Sequence, residues 1–294
     1  MTTVLVTGAT GTVGKHVVTA LSERPGAMRV GLRDPAAALS RLGDAEAAAF
    51  DFEKPETWGP ALADVDGVFL MRPPTVDAAT VAEFAEAAAR VGVSQIAYLS
   101  TLGAERIAVS PHRRIEKRIV ATEAGYTLLR ASFFMQNLLE VHRADVVERD
   151  ELFVPAGDGK TSFVDARDVG AVAATVLTEP GHENRAYDLT GPEALDFEAV
   201  ATIFSRVLGR RITYPDPSLL AFARRMHRRG HPLGFLLVMC VIYTTTRLGL
   251  AARVTPDARA ILGREPRDIT TFVDDYADEF RPDGNPPASG VDND

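Results

Sequence analysis

Val4-Leu5-Val6-Thr7-Gly8-Ala9-Thr10-Gly11-Thr12-Val13-Gly14 is the stretch that decides the fold. A short apolar strand runs into a turn with a glycine at every third position, and a helix follows from Thr12 to Ser22. Such a turn collects free backbone N–H groups and the positive end of the helix dipole at one point, where a pyrophosphate is held. The glycines allow the tight turn, the close approach of backbone to phosphate, and the close packing of helix on strand. The spacing is G-x-x-G-x-x-G and not the G-x-G-x-x-G of the general dinucleotide fingerprint. A glycine-rich turn with no ligand is the competing reading.

Outward from this turn, short β-branched runs alternate with alanine-rich helical segments, the pattern of a parallel sheet covered on both faces. Strands are expected at 4–7, 28–32, 47–50, 67–70, 95–99 and 126–129, with helices at 12–22, 56–64, 77–91 and 111–124 between them. Val81, Phe84, Ala85 and Ala88 repeat at the spacing of one helical face. Beyond Arg130 the order loosens into a helix from Phe134 to about Val147, a strand near 162–164, a helix at 167–178, a strand at 185–189, a helix at 197–208 and two further helical stretches. The apolar run Leu233 to Tyr243 is too short to span a bilayer, which needs about 20 residues. It reads either as a core helix or as one wall of an apolar substrate pocket.

At 294 residues, with 46% hydrophobic and 24% charged residues, the chain is neither disordered, collagenous nor a disulfide miniprotein by composition. The length allows one large α/β domain or a core with an appended lobe. The single cysteine, Cys240, forms no internal disulfide, and a cytoplasmic location is the expectation. The amino terminus does not read as a signal peptide. A net charge of −8 gives no electrostatic reason to expect nucleic acid or an anionic membrane as partner. One local exception, Arg224-Arg225-Met226-His227-Arg228-Arg229-Gly230-His231, reads either as a site for an anionic ligand or as a solvated turn between two helices. His142, His182 and His231 lack the spacing of a metal site, and no metal is expected. No G-x-S-x-G motif points to acyl transfer.

In a dinucleotide fold, the tip of the second strand selects the cofactor: an acid bonds the ribose 2′-hydroxyl, an arginine accepts a 2′-phosphate. Met28-Arg29-Val30-Gly31-Leu32 ends without an acid and is followed by Arg33, so NADPH is expected over NADH; the alternative leaves Arg33 paired with Asp34 or solvent. Asp51 and Phe52, after the third strand, fall where an adenine would lie, although capping the next turn suits Asp51 equally well.

Gly8 to Gly14, Arg33-Asp34-Pro35, Phe69-Leu70-Met71-Arg72-Pro73-Pro74, Leu129-Arg130-Ala131-Ser132-Phe133-Phe134-Met135-Gln136-Asn137 and Val164-Asp165-Ala166-Arg167-Asp168-Val169-Gly170 together resemble the NmrA-like group of atypical short-chain dehydrogenases. The likeness is strongest to its triphenylmethane reductase and NADPH:quinone reductase branch. It runs from about residue 3 to about 280, through Thr190-Gly191-Pro192 and Gly263-Arg264-Glu265-Pro266-Arg267. The resemblance implies an α/β Rossmann fold, a doubly wound parallel sheet with a smaller, mostly helical carboxy-terminal substrate lobe. The core is expected over 1–150, with strands near 160–166 and 185–190 returning to it, the lobe mainly over 191–280, and a disordered tail over 281–294. By the same resemblance Gly8, Thr10, Gly11, Thr12 and Val13 contact the pyrophosphate, Arg33 the 2′-phosphate, and Met71, Arg72 and Pro73 the adenosine-side ribose and phosphates. Ser100 and Thr101 lie beside the nicotinamide ribose, and Phe133 and Phe134 flank the nicotinamide.

Most short-chain dehydrogenases carry a Tyr-x-x-x-Lys pair on the helix after the fifth strand. Here the six tyrosines are followed four residues later by Leu102, Arg130, Gly191, Ser218, Arg247 and Phe280, never by lysine. The corresponding helix offers His112 and Glu116 one turn apart on the same face. Either Glu116 orients His112 and raises its pKa, making it a proton donor, or His112 is a surface residue at a helix start. Asn137, with Gln136, is placed either to hydrogen-bond a substrate carbonyl or to cap backbone groups. The expectation is an NADP(H)-dependent oxidoreductase acting on a conjugated, largely apolar small molecule such as a quinone, enone or aromatic ketone, with oligomerisation left open. The alternatives are an NADP(H)-sensing regulator without turnover and a biosynthetic tailoring enzyme performing a ketone reduction or a non-redox rearrangement.

Overall fold

The computed structural model describes residues 2–36 and 45–282. In chain order the first half runs β1 (Thr3–Val6), α1 (Gly14–Ser22), β2 (Ala27–Leu32), β3 (Glu46–Ala49), α2 (Trp58–Leu62), β4 (Gly67–Met71), α3 (Ala78–Arg90), β5 (Gln95–Thr101), α4 (Pro111–Val120) and β6 (Gly125–Ala131). The second half runs β7 (Phe133–Phe134), α5 (Gln136–Glu140), α6 (Arg143–Arg149), β8 (Thr161–Val164), α7 (Ala166–Thr178), β9 (Arg185–Leu189), β10 (Ala194–Leu195), α8 (Phe197–Leu208), α9 (Leu219–Arg228), α10 (Leu233–Arg247), α11 (Asp257–Leu262) and α12 (Ile269–Asp275).

Seven strands form one parallel sheet in the order β3-β2-β1-β4-β5-β6-β9. The chain reverses direction across the sheet between β1 and β4, the switch point at whose carboxyl ends open α/β sheets bind ligands. The central strands are buried along nearly their whole length, as strands covered by helices on both faces must be. Against one face, α3 presents Val81, Phe84, Ala85 and Ala88, all fully buried or nearly so. Its start is fixed by Asp77, whose carboxylate accepts the Ala79 N–H at 2.7 Å. Phe84 meets Phe50, Phe52 and Trp58 edge-on, closing that side of the core. Elsewhere α1 and α7 approach so closely that a Cβ on Gly170 would come within 2.7 Å of the His16 carbonyl carbon.

A second, three-stranded sheet has the order β10-β8-β7. The strand expected to return to the large sheet near 160–166 belongs here: β8 pairs parallel to β7 and antiparallel to β10. The place beside β6 in the large sheet is filled by β9, from Thr127 opposite Arg185 to Ala131 opposite Leu189, so β8 has no edge to join there. Its four residues are all buried, and burial marks a strand without saying which sheet owns it. The expected long helix from Phe134 is broken into α5 and α6. Four helices, not two, follow α8 among the described residues.

The chain divides into two compact units. One holds the described residues up to Ala131 together with Ala166–Leu189 and Asp257–Arg264; the other holds Ser132–Asp165, Thr190–Pro256 and the described residues from Glu265 onward. The first contains the seven-stranded sheet. The second has its own core, in which Phe133, Phe163, Phe197, Phe222 and Tyr243 pack largely edge-on. The tail expected to be disordered lies, from residue 283, outside the described residues.

Candidate cofactor site

The glycine turn leaves β1 at the switch point, and each glycine has its own reason. Gly8 has φ +63°, the left-handed region that side chains avoid, and a Cβ there would lie 2.7 Å from the Cγ and Sδ of Met71. At Gly14 a Cβ would fall 2.0 Å from the Gly8 carbonyl oxygen, backbone that has no rotamer to retreat to. Gly11 donates its N–H to the same oxygen at 3.0 Å, tying the turn together. Val13 caps α1 without a side-chain bond, and no acidic residue occupies the first turn. The backbone amides of Thr10 and Val13 have no partner among the described residues. A helix start with unsatisfied amides, no carboxylate and no room for side chains fits an anionic diphosphate. Thr10 is exposed, Thr12 half-buried and Val13 buried.

Thr7 was not singled out by its sequence. Its hydroxyl donates to the Phe69 carbonyl at 3.0 Å and accepts the Met71 N–H at 3.1 Å, locking the end of β1 to the end of β4. This sets Met71 over Gly8. Arg72 and Pro73, the next residues, are half-buried. Arg72 donates to the Pro74 carbonyl at 3.2 Å, while its buried Nε has no partner.

At the tip of β2, Arg33 is exposed, and Asp34 accepts the Ala36 N–H at 3.0 Å in a tight turn. Asp51 is a turn-former in this structure: its carboxylate accepts the Glu53 N–H at 3.0 Å, and its carbonyl accepts the indole N–H of Trp58 at 3.0 Å. Phe52 is 5% exposed, with its ring in the aromatic cluster on Phe50 and Phe84, so only its backbone is left to meet a ligand.

On β5, Tyr98 and Ser100 point to the same face, and α4 sets His112 and Glu116 against them. The Tyr98 hydroxyl lies 2.8 Å from His112 Nδ1, and Ser100 Oγ donates to Glu116 Oε1 at 2.6 Å. Arg130 on β6 grips Glu116 with two bonds of 3.0 and 2.7 Å. Glu116 therefore does not orient His112 as expected, since its carboxylate is taken by Ser100 and Arg130, and although its charge still favours the imidazolium, that effect is outweighed. Burial, aided by the positive charge of Arg72, pushes the His112 imidazole down to about 4. Burial also raises the Tyr98 hydroxyl far above its ordinary range. Neither group gives up a proton readily near neutral pH. Thr101, the last residue of β5, is exposed.

Phe133, Phe134 and Asn137 belong to the second unit. The Phe133 ring is 9% exposed and spent on Phe163 and Phe197 in that unit's core. Phe134 and Asn137 are half-buried, and the Asn137 amide makes no hydrogen bond among the described residues. Gln136 is committed, donating to the buried Asp165 at 2.9 Å. No group of histidine, cysteine, aspartate and glutamate among the described residues is arranged to hold a metal ion. No helix there is long and apolar enough to cross a membrane.

The NAD(P)H azoreductase of Xenophilus azovorans is 34% identical over 289 residues, spanning 94% of this chain and 99% of that one. The triphenylmethane reductase of Citrobacter sp., solved in complex with NADP(H), superimposes with a TM-score of 0.83 at 29% identity, over 92% of this chain and 98% of that one. An NADPH-dependent quinone oxidoreductase from Escherichia coli gives 0.82 at 27%, over 93% and 99%. The model of the NmrA-like family matches residues 1–227, which include the glycine turn, Arg33 and the Ser100–Glu116–Arg130 cluster. By that match the chain belongs to the NmrA-like family.

Proposed function

We propose that the protein is an NADPH-dependent reductase of a conjugated, largely apolar small molecule, of the quinone, enone or aromatic ketone kind. The observation that carries the reading is the anion-ready glycine turn at the sheet's switch point with Arg33 at the tip of β2. The relatives described above, reductases using NAD(P)H, support the same reaction class.

The residues fit the cofactor. Thr10, Gly11, Thr12 and Val13 would hold the diphosphate, with Gly8 and Gly14 keeping the cradle free of side chains. Arg33 would take the 2′-phosphate through a charged, forked hydrogen bond. Met71, Arg72 and Pro73 would border the adenosine side, with Ser100 and Thr101 at the nicotinamide ribose. For Asp51 and Phe52 the fit is through backbone alone. Bound NADPH supplies a hydride from its nicotinamide ring.

The chain's own contribution is orientation. Ser100 is held by Glu116, which fixes the end of β5, and Tyr98 and His112 hold each other. In the second unit, Asn137 offers an unbonded amide and Phe134 an apolar ring. Since His112 stays neutral and Tyr98 keeps its proton, the proton comes from water. That limits the substrate to acceptors whose reduced anion is stabilised by conjugation, and positioning then supplies most of the rate. The test is NADPH oxidation against a panel of quinones, enones, aromatic ketones and azo compounds. Turnover of at least one class in proportion to enzyme is expected. Tight NADPH binding with no turnover of any member overturns the reductase reading and leaves a cofactor-binding regulator.

A further inference from the structure

The second unit carries an arginine-lined cavity of about 490 Å³ between the end of α6 and the face of α9. Arg149, Arg224, Arg225, Arg228 and Arg229 line it, with Phe153 and one carboxylate, that of Glu148. Helix α9 buries Phe222 and Met226 and turns its polar side outward. A solvated helix face, or cations placed to suit the negative end of the helix dipole, would account for one or two arginines. Two features go beyond that account.

The first is how the arginines are supported. Asp145 on α6 is fully buried and accepts from Arg225 at 2.8 Å and from Arg229 at 2.8 and 2.9 Å. Arg225 also bonds Glu151 and sits over the Phe153 ring, its guanidinium carbon 3.2 Å from the ring centre. Arg229 is further within 3.6 Å of Glu148. Two of the guanidiniums are therefore fixed in place by a carboxylate that solvent does not reach. The second is what is left unpaired. Arg224 and Arg228 stand four residues apart on the exposed side of α9, a like-charge pairing that destabilises a helix. The parallel pair, Arg225 and Arg229, is offset by Asp145 together with Glu151 and Glu148. Arg224, Arg228 and Arg149 have no carboxylate partner among the described residues. Five guanidiniums face three carboxylates here, in a chain whose net charge is −8. A local positive excess of this kind attracts anions.

We propose that this cavity binds a ligand carrying a phosphate group, held by Arg149, Arg224 and Arg228 on a base fixed by Arg225, Arg229 and Asp145. Guanidinium forks match the paired oxygens of a phosphate, and the volume falls in the range of small-molecule sites, larger than a bare phosphate ion needs. A phosphorylated metabolite and a phospholipid headgroup share this chemistry. The site is built from the second unit alone, so its failure leaves the reductase reading untouched.

The test uses the full chain saturated with NADP⁺, so that the cofactor's own phosphate sites are filled, and inorganic pyrophosphate as the probe in calorimetric titration at low salt. One pyrophosphate per chain is expected, weakening at least about tenfold in the double variant Arg224→Ala/Arg228→Ala and steeply with added salt. Both positions are exposed, so the variant should fold; Arg90→Ala/Arg211→Ala removes the same charge elsewhere and should bind as the parent does. Flotation with phosphatidylglycerol vesicles against phosphatidylcholine vesicles identifies the source: capture by the former alone, lost in Arg224→Ala/Arg228→Ala, assigns the phosphate to a lipid headgroup. No pyrophosphate binding, or equal affinity in the two double variants, overturns the proposal.

Discussion

Substituting His112 by glutamine should flatten the acid side of the stability profile. In the folded chain the imidazole is held at about 4, against 6.5 when unperturbed. A base whose pKa is depressed by folding takes up its proton more readily in the unfolded chain. Its contribution is thus fully present above about pH 6.5 and is lost as the pH falls toward 4. A shift of this size corresponds to about 3 kcal/mol in all, of which about 2 kcal/mol is lost between pH 7 and pH 5. Most carboxylates remain ionised over that interval. His142, also held at about 4 by complete burial, is present in both chains and cancels in the comparison. Urea unfolding of the parent and of His112→Gln at pH 7 and pH 5 should show the variant losing about 2 kcal/mol less. The His112 ring resonances should titrate near pH 4. Titration at 6.5 or above, or identical pH dependence in the two chains, would refute the reasoning and reopen His112 as a proton donor.

Three further substitutions probe the cofactor site. Arg33→Ala should weaken NADPH by about 1–3 kcal/mol with NADH unchanged, measured by fluorescence titration; equal losses for both would remove the 2′-phosphate role. Gly14→Ala places a Cβ against the Gly8 carbonyl oxygen and should cost about 1–3 kcal/mol of stability, with a loss of affinity for both nucleotides; a variant with parental affinity would show that the turn yields. Thr7→Val strands the Met71 N–H and should cost about 1–3 kcal/mol in urea unfolding, a loss that Thr7→Ser, which keeps the hydroxyl, should largely avoid.

What the sequence made legible was local. Gly11 and Gly14 answer to the Gly8 carbonyl oxygen and Gly8 to its own positive φ, so the turn, its strand and its helix can be read directly, although Met71, which also closes over Gly8, is distant in sequence. Arg33 is legible because it follows β2 immediately. Thr7 is not, because its partners are 62 and 64 residues away. The same distance problem misplaced β8: a fully buried four-residue strand has no alternation to show which sheet it joins. The two-residue strands β7 and β10 carry no periodicity at all. Phe133 and Phe134 are neighbours with opposite fates, one in a core and one half-buried, as alternation along a strand requires. Phe52 was assigned to a ligand from its position after β3, but its ring fills the core beside Phe84.

The His112–Glu116 pairing shows why a correct local rule gave the wrong partner. A helix residue can be claimed by the strand it packs on instead of by its own neighbour four residues away, and here both are: His112 meets Tyr98 while Glu116 meets Ser100. Each helix residue finds a hydroxyl on the strand that is better placed than its own neighbour on the helix. The match occupies the face of α4 toward the sheet, on the helix where related dehydrogenases place their catalytic tyrosine and lysine. With Arg130 drawing Glu116 toward β6, α4 is strapped across two strands by polar contacts, while burial pushes the His112 imidazole down and the Tyr98 hydroxyl up. Under the proposed reductase reading, an acceptor that needs a proton delivered in concert with hydride gains little from these groups, while one that holds the resulting charge in a conjugated system needs only to be placed.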